Sequence, residues 1–349
     1  MPDKKIFLGK ITNALPANIL EAGAALKSLP VAHRVTFEQN QSALLDNSNP
    51  RSGAWAKMLD LLHHDNRPVY VEIDPKTENI TRLCVPMSTK VVAIDTSDKK
   101  EVFITFDGSH ARHSLHRDNP DFEKFSGLLT YAKSAGTPLM VTATMHEFEI
   151  IDVRLLPPAF GKEIAIGPIH PIVPSVAVSP AKAIELFNMV NNHTCTPCHS
   201  TSNCIPYKYP YDGCWIRAHL MSFLMIAVGV TPEKVWITGN LTAKSKNVPQ
   251  CAVHWGWHVA PTLLVTQHIG PAVRMVIDPS LCTGPVTEAV WKSLQGDIHA
   301  TLTPSTWTGY HYLAAGTATQ AQANNDMQYY RIHLDDLCAH YGPPPYNCP

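Results

Sequence analysis

Apolar and polar positions divide the chain into two unlike halves. In the first, laying the sequence on itself at an offset of 70 aligns WAKMLDLLHHDNRPVYVEI from Trp55 with FSGLLTYAKSAGTPLMVTA from Phe125 without a gap. Pro68 then falls on Pro138 and Val71 on Val141. At nearly the same offset VTF ending at Phe37 matches ITF ending at Phe106, and NITRLCVP ending at Pro86 matches EIIDVRLLP ending at Pro157. Each copy predicts a β run, an amphipathic helix, a proline-marked turn and a hairpin, so residues 30 to 157 read as a tandem α+β duplication. Two copies are too few for a solenoid and predict a compact pair. Pro157, Pro158, Pro168, Pro171, Pro174 and Pro180 then interrupt any helical or strand period, as an extended interdomain connector would. Ser179-Pro180 supplies an N-cap and a proline at the first helical position, opening AKAIELFNMVNN. The expected organisation is a domain at 1–157, a linker at 158–180 and a second domain at 181–349.

In the second half, CWIRAHLMSFLMIAV from Cys214 to Val228 is apolar almost all round and predicts a buried helix, with Pro210, Asp212 and Gly213 in the turn before it. Cys214 is thereby placed at a helix start. There unpaired N–H groups and the positive end of the macrodipole favour a thiolate, lowering a cysteine pKa to about 3.5–7.5. The alternative role for Cys214 is that of a small buried hydrophobe. CAVHWGWHVAPTLLV predicts a strand from Cys251 to Val265, and VRMVIDPS a second from Val273 that stops at Asp278-Pro279. A hairpin centred on His268 would set His258 directly opposite Asp278 on one face, and a slip of one residue would separate them. Taken singly, His258 suits a sheet interior and Asp278 a strand-end turn. Together with Cys214 they have the makings of a nucleophile, its base and an orienting carboxylate.

Composition narrows the classes. The chain has 349 residues, formal net charge −1, pI near 7.0 and 28 Lys+Arg spread thinly, which gives no electrostatic footprint for nucleic acid or an anionic membrane. No apolar run approaches the roughly 18 residues of a membrane span. The first thirty residues show no uninterrupted apolar stretch of the secretory kind, so an export route is not evident. Cys84 stands alone in the first half, and the other eight cysteines lie between 195 and 348. CTPCH, Cys195 to His199, matches the haem-attachment pattern C-x-x-C-H, and with Cys204 it could pass for a metal cluster. A disulfide joining Cys195 and Cys204 is the preferred account. No cofactor and no resident metal are expected.

The strings YPYDGCWIRAHLM, GNL, WGWHVA and VIDPSL followed by GPVT resemble the bacterial protein-glutaminase family, whose members deamidate glutamine side chains in intact proteins. The similarity covers roughly residues 181 to 295. It implies an α+β chain with a papain-like catalytic domain preceded by a pro-region, here in duplicated form. Cys214 would be the nucleophile, His258 the general base and acid, and Asp278 the orienting carboxylate. Trp255 and Trp257 would either wall the aliphatic part of the substrate glutamine or serve as core aromatics, and Asp212 would either orient the cleft or form the turn. Arg217 and His219 are expected to be structural. The resemblance further implies protein or peptide substrates with accessible glutamine, intramolecular inhibition by residues 1–157, and a secreted or extracytoplasmic setting, with a cytoplasmic one left open. A cysteine protease or a transglutaminase would use the same triad, and a non-catalytic binding module remains as a third reading.

Overall fold

The computed structural model describes residues 5–13, 32–156, 176–248, 252–310, 312 and 318–346. The proline-rich linker falls largely outside them. The N-terminal half contains two units of like design. The first pairs β2 (Ala32–Thr36) with β3 (Ser42–Asp46), follows with α1 (Ser52–His64), and returns through β4 (Pro68–Ile73) and β5 (Ile80–Cys84) to a sheet completed by β1 (Lys5–Lys10) in the order β1-β4-β5. The second contains β6 (Met87–Thr89), β7 (Val91–Asp95), β8 (Glu101–Phe106), β9 (Arg112–His116), α2 (Phe122–Ala135), β10 (Leu139–Ala143) and β11 (Ile150–Leu155). Its sheets are ordered β7-β8-β9 and β11-β10-β6.

The correspondence between the units reaches single hydrogen bonds. Isolated parallel bridges join Leu44 to Asn79 and Ser114 to Glu149, the same 70-residue offset as the sequence match. Leu44 N–H donates to Glu78 O and Ser114 N–H to Phe148 O, and both acceptors have left-handed backbones. Asn49 and Asn119 each accept from the backbone N–H two residues on, an Asx turn that starts the following helix. One expectation is corrected here. In each unit the predicted β run before the helix is paired with a further strand, β2 with β3 and β8 with β9, since SALLD and RHSLH carry too little apolar alternation to announce β3 and β9. Behind each pair of sheets lies a separate core, Trp55, Leu59, Leu62 and Val71 in the first unit and Phe106, Phe125, Leu129 and Val141 in the second.

The C-terminal half is built on an antiparallel five-stranded sheet, order β15-β14-β13-β12-β16, with β12 (Glu233–Ala243), β13 (Val253–Val265), β14 (Val273–Val276), β15 (Val286–Thr287) and β16 (Thr301–Thr306). α3 (Pro180–Asn191) is capped as its sequence predicts, Ser179 accepting from Lys182 N–H with proline at the first position. It packs on α4 (Cys214–Ala227), which lies against β13. α5 (Glu288–Ser293) follows β15. α6 (Gln320–Tyr341) packs on both α4 and α1, and its Tyr329 and Ile332 complete the core of the first N-terminal unit. Arg51 from the start of α1 makes two hydrogen bonds to the Asp336 carboxylate of α6, at 2.9 and 2.6 Å, and His146 Nε2 lies 3.1 Å from the same group. Two disulfides, Cys195–Cys204 and Cys198–Cys338, pin the loop before α4 to itself and to α6. Both cysteines of the C-x-x-C-H pattern are consumed in them, which removes the haem reading and bears out the preferred pairing. Among the described residues no helix is long and apolar enough to cross a membrane.

Candidate active site

Gly213 precedes Cys214 with φ +87°, a left-handed turn that glycine adopts without cost. A Cβ there would also come within 2.8 Å of the Tyr330 ring. The chain therefore enters α4 sharply, and Cys214 becomes its first residue, facing β13. His258 sits mid-strand, paired across to Ile237 of β12. Asp278 lies two residues beyond β14. The observed pairing of Leu264 with Arg274 and Thr262 with Val276 shifts the hairpin by two residues from the symmetric one, so Asp278 reaches His258 diagonally past the strand end rather than from directly opposite. A shift of two keeps the face, which is why the contact survives. His258 Nε2 and Asp278 Oδ2 are 2.9 Å apart. Trp291 Nε1 of α5 donates to the same oxygen at 2.9 Å, and Ser280 N–H donates to Oδ1 at 3.0 Å.

The other side of the imidazole holds a residue that sequence reasoning missed. His110, from the loop between β8 and β9, lies with Nδ1 3.3 Å from His258 Nδ1, and its ring stacks on Trp255 at 4.9 Å. The Sγ of Cys214 and one ring nitrogen each of His110 and His258 lie within 4.8 Å of one another. No sequence pattern joins His110 to the site, since it is 148 residues from His258. The segment around it lies along β13: Gly256 N–H donates to His110 O at 2.9 Å, Trp257 Nε1 to Phe106 O at 2.8 Å, and Ala111 bridges Trp255. Gly256 permits this approach, because a Cβ there would collide with the side chain of Thr105.

Burial sets the electrostatics. Cys214 and His258 are 1% exposed, Asp278 2% and His110 0%. Burial pushes the Cys214 thiol well above its ordinary range, despite Arg217 nearby and the Val259 N–H directed at the sulfur. In this closed arrangement desolvation therefore opposes the thiolate expected from the helix start. Burial also lowers the His258 pKa, against the opposing pull of Asp278. For Asp278 burial acts upward, but His258 and the Trp291 donor prevail and hold the carboxyl below its usual value. Burial lowers His110 well below an ordinary histidine, aided by the charge of His258.

Trp255 stacks on His258 at 4.6 Å and so walls the site directly, whereas Trp257 packs toward Trp236 and Tyr312. Asp212 is both turn and junction. Its Oδ1 accepts from Gly213 N–H at 2.7 Å and from His110 N–H at 3.1 Å, while Tyr330 OH donates to Oδ2 at 3.3 Å. Arg217 donates to the carbonyls of Tyr209 and Asp212, holding the turn, and His219 lies 3.0 Å from both Ala318 O and Lys234 Nζ. Both are structural contacts. A cavity of about 630 Å³ runs between the halves, bordered by Asp212, Trp215 and Tyr330 on one side and Ser109, Met145 and Phe148 on the other.

Residues 183–295, which span Cys214, His258 and Asp278, match the family model described as glutaminase. Among solved structures, the crystal structure of pro-protein-glutaminase has a TM-score of 0.59 at 23% identity, over 71% of this chain and 93% of that one. A mutant of pro-protein-glutaminase has a TM-score of 0.58 at 23% identity, over 70% of this chain and 91% of that one. No curated protein matches. The structural likeness establishes the fold, and the family match supplies the segment that bears the site. The resemblance to the protein-glutaminase family read from the sequence is thereby borne out, carried by residues 183–295 within a fold similar to that of pro-protein-glutaminase.

Proposed function

We propose that this chain is a protein-glutamine deamidase held closed by its own N-terminal half, with residues 1–157 as the inhibitory domain, 158–180 as the connector and 181–349 as the catalytic domain. The observation that carries the reading is His258 held by Asp278 at 2.9 Å and placed against the sulfur of the residue that opens α4. A nucleophile at the start of a helix packed against an antiparallel sheet that bears its base supports a papain-like reading of this half. The common hydrogen bonds of the two N-terminal units support their origin as a duplicated pro-region.

In the proposed reaction the N-terminal half moves away and rehydrates the sulfur. His258 takes the Cys214 proton while Asp278 fixes its tautomer. The thiolate attacks the carboxamide carbon of a glutamine side chain, and the Cys214 N–H at the helix start is the first candidate oxyanion donor. The imidazolium returns its proton to the departing ammonia, leaving a thioester, which water activated by His258 hydrolyses to glutamate. Trp255 would lie along the aliphatic part of the glutamine, with Trp257 and Asp212 shaping the cleft beside it. Two disulfides suit an oxidising, extracytoplasmic setting.

The test is ammonia release from a glutamine-containing protein after the 158–180 segment has been cut, comparing the wild type with Cys214→Ala. Ammonia without chain scission, abolished by the substitution, supports the proposal. Scission would indicate a protease, amine incorporation a transglutaminase, and a stable chain without turnover a binding module.

A further inference from the structure

His110 and His258 meet nitrogen to nitrogen; His258 has a carboxylate hydrogen-bonded behind it, and His110 has one nearby at 3.7 Å. The outer nitrogen of His258 is held by Asp278, and the outer nitrogen of His110 lies 3.7 Å from Asp212 Oδ1 with no hydrogen-bond partner among the described residues. A carboxylate behind an imidazole favours the proton on the outer nitrogen. If both outer nitrogens carry protons, two lone pairs face each other across 3.3 Å, in a site closed to water. A proton on one of the two nitrogens or a cation between them would satisfy such a pair, and the thiol of Cys214 is the third donor around that point.

We propose that His110, Cys214 and His258 form a zinc site that exists only while the N-terminal half covers the cleft. The donor set is imidazole, imidazole and thiolate, which suits zinc and excludes the hard cations magnesium and calcium. Zinc–nitrogen bonds of about 2.0–2.1 Å at a tetrahedral angle separate two nitrogens by about 3.3 Å, the spacing the two Nδ1 atoms already have. On binding, the Cys214 thiol releases its proton to solvent as the sulfur–zinc bond forms. The imidazoles donate their Nδ1 lone pairs; His258 keeps its Nε2 proton on Asp278, and the Nε2 proton of His110 points toward the Asp212 carboxylate at 3.7 Å. Asp278 thereby orients His258, as a carboxylate behind a metal-bound histidine does, while Asp212 holds His110 through its backbone N–H. One coordination position stays open beyond the three protein ligands. The ion would occupy both the proposed nucleophile and its base, and would tie the covering half to the covered one through His110. The sequence points to no such site, because its three ligands come from two halves and share no spacing motif.

The site rests on geometry and not on the deamidase reading, so its test reads metal rather than turnover. The intact, uncut chain is titrated with zinc, and with cobalt as a spectroscopic probe, without reductant so that the disulfides stay closed. The expected result is about one zinc per chain and a cobalt spectrum showing a thiolate charge-transfer band. His110→Gln should weaken zinc by more than about 100-fold, since removing even a residue behind a ligand costs about 10–100-fold. Cys214→Ser should abolish the charge-transfer band, while His199→Gln, in the disulfide loop, should change nothing. Thermal unfolding of each variant without metal shows that it is folded. Failure of the intact chain to bind zinc stoichiometrically, or binding that survives both His110→Gln and Cys214→Ser, would overturn the proposal. Either result would leave the deamidase reading standing, just as absence of ammonia release would leave this one standing.

Discussion

Asp278 has the surroundings that a buried anion needs: His258 Nε2 and Trp291 Nε1 each at 2.9 Å from one oxygen, and the Ser280 N–H at 3.0 Å from the other. Replacing it by asparagine removes the charge and permits the wrong imidazole tautomer, so ammonia release by the cut enzyme should fall by about 10³–10⁴-fold. Trp291→Phe removes a hydrogen bond to a charged acceptor and should cost about 1.5–3 kcal/mol in urea unfolding. Cys214 is desolvated in the closed chain, so its alkylation by iodoacetamide should stay slow from about pH 6 to 9 and rise sharply once the covering half is displaced. A fast, low-pKa reaction in the intact chain would show that the cleft opens unaided. At this scale the sequence was legible for Cys214, His258 and Asp278, because helix-start chemistry and a hairpin are local. It was silent on Trp291, which reaches the site through the short helix α5, and on His110, which arrives from the other half of the chain.

Among the elements, α4 and β13 follow their sequence patterns closely, while α6 did not announce itself. Its 22 residues face α4 on one side and the first N-terminal unit on another, burying Arg331, Asp335 and Asp336 along with Leu334 and Leu337, so no single apolar stripe develops. The α6 contacts hold the halves together. Arg51→Ala would leave the buried Asp336 carboxylate with His146 alone and should destabilise the chain by about 3–5 kcal/mol, read from denaturant unfolding. The pH dependence of this contact has a definite sign. Burial alone would raise the Asp336 pKa, but His146 and Arg51 bring it from 3.8 down to about 2. A carboxyl depressed in the folded state stabilises above its unfolded value, so about 2 kcal/mol is present above about pH 4 and disappears as the pH falls toward about 2. Docking that weakened already between pH 7 and 5 would contradict this assignment.

For the whole molecule, the two halves share an interface in which one polypeptide segment lies along β13 and seals the site. Gly256→Ala should wedge Thr105 away from that strand and raise the turnover of the uncut chain toward that of the cut one. The 70-residue correspondence was legible because it is written in periodic apolar positions. The seal was not, since it depends on how one half lies on the other, which no local pattern encodes. The most direct measurement is conversion of glutamine to glutamate in an intact substrate protein, followed by peptide mass for the uncut chain, the chain cut within 158–180, and the cut Cys214→Ala variant. The account predicts conversion by the cut wild type alone, with the other two at background. Equal conversion by cut and uncut chains, or conversion that survives loss of Cys214, would contradict it.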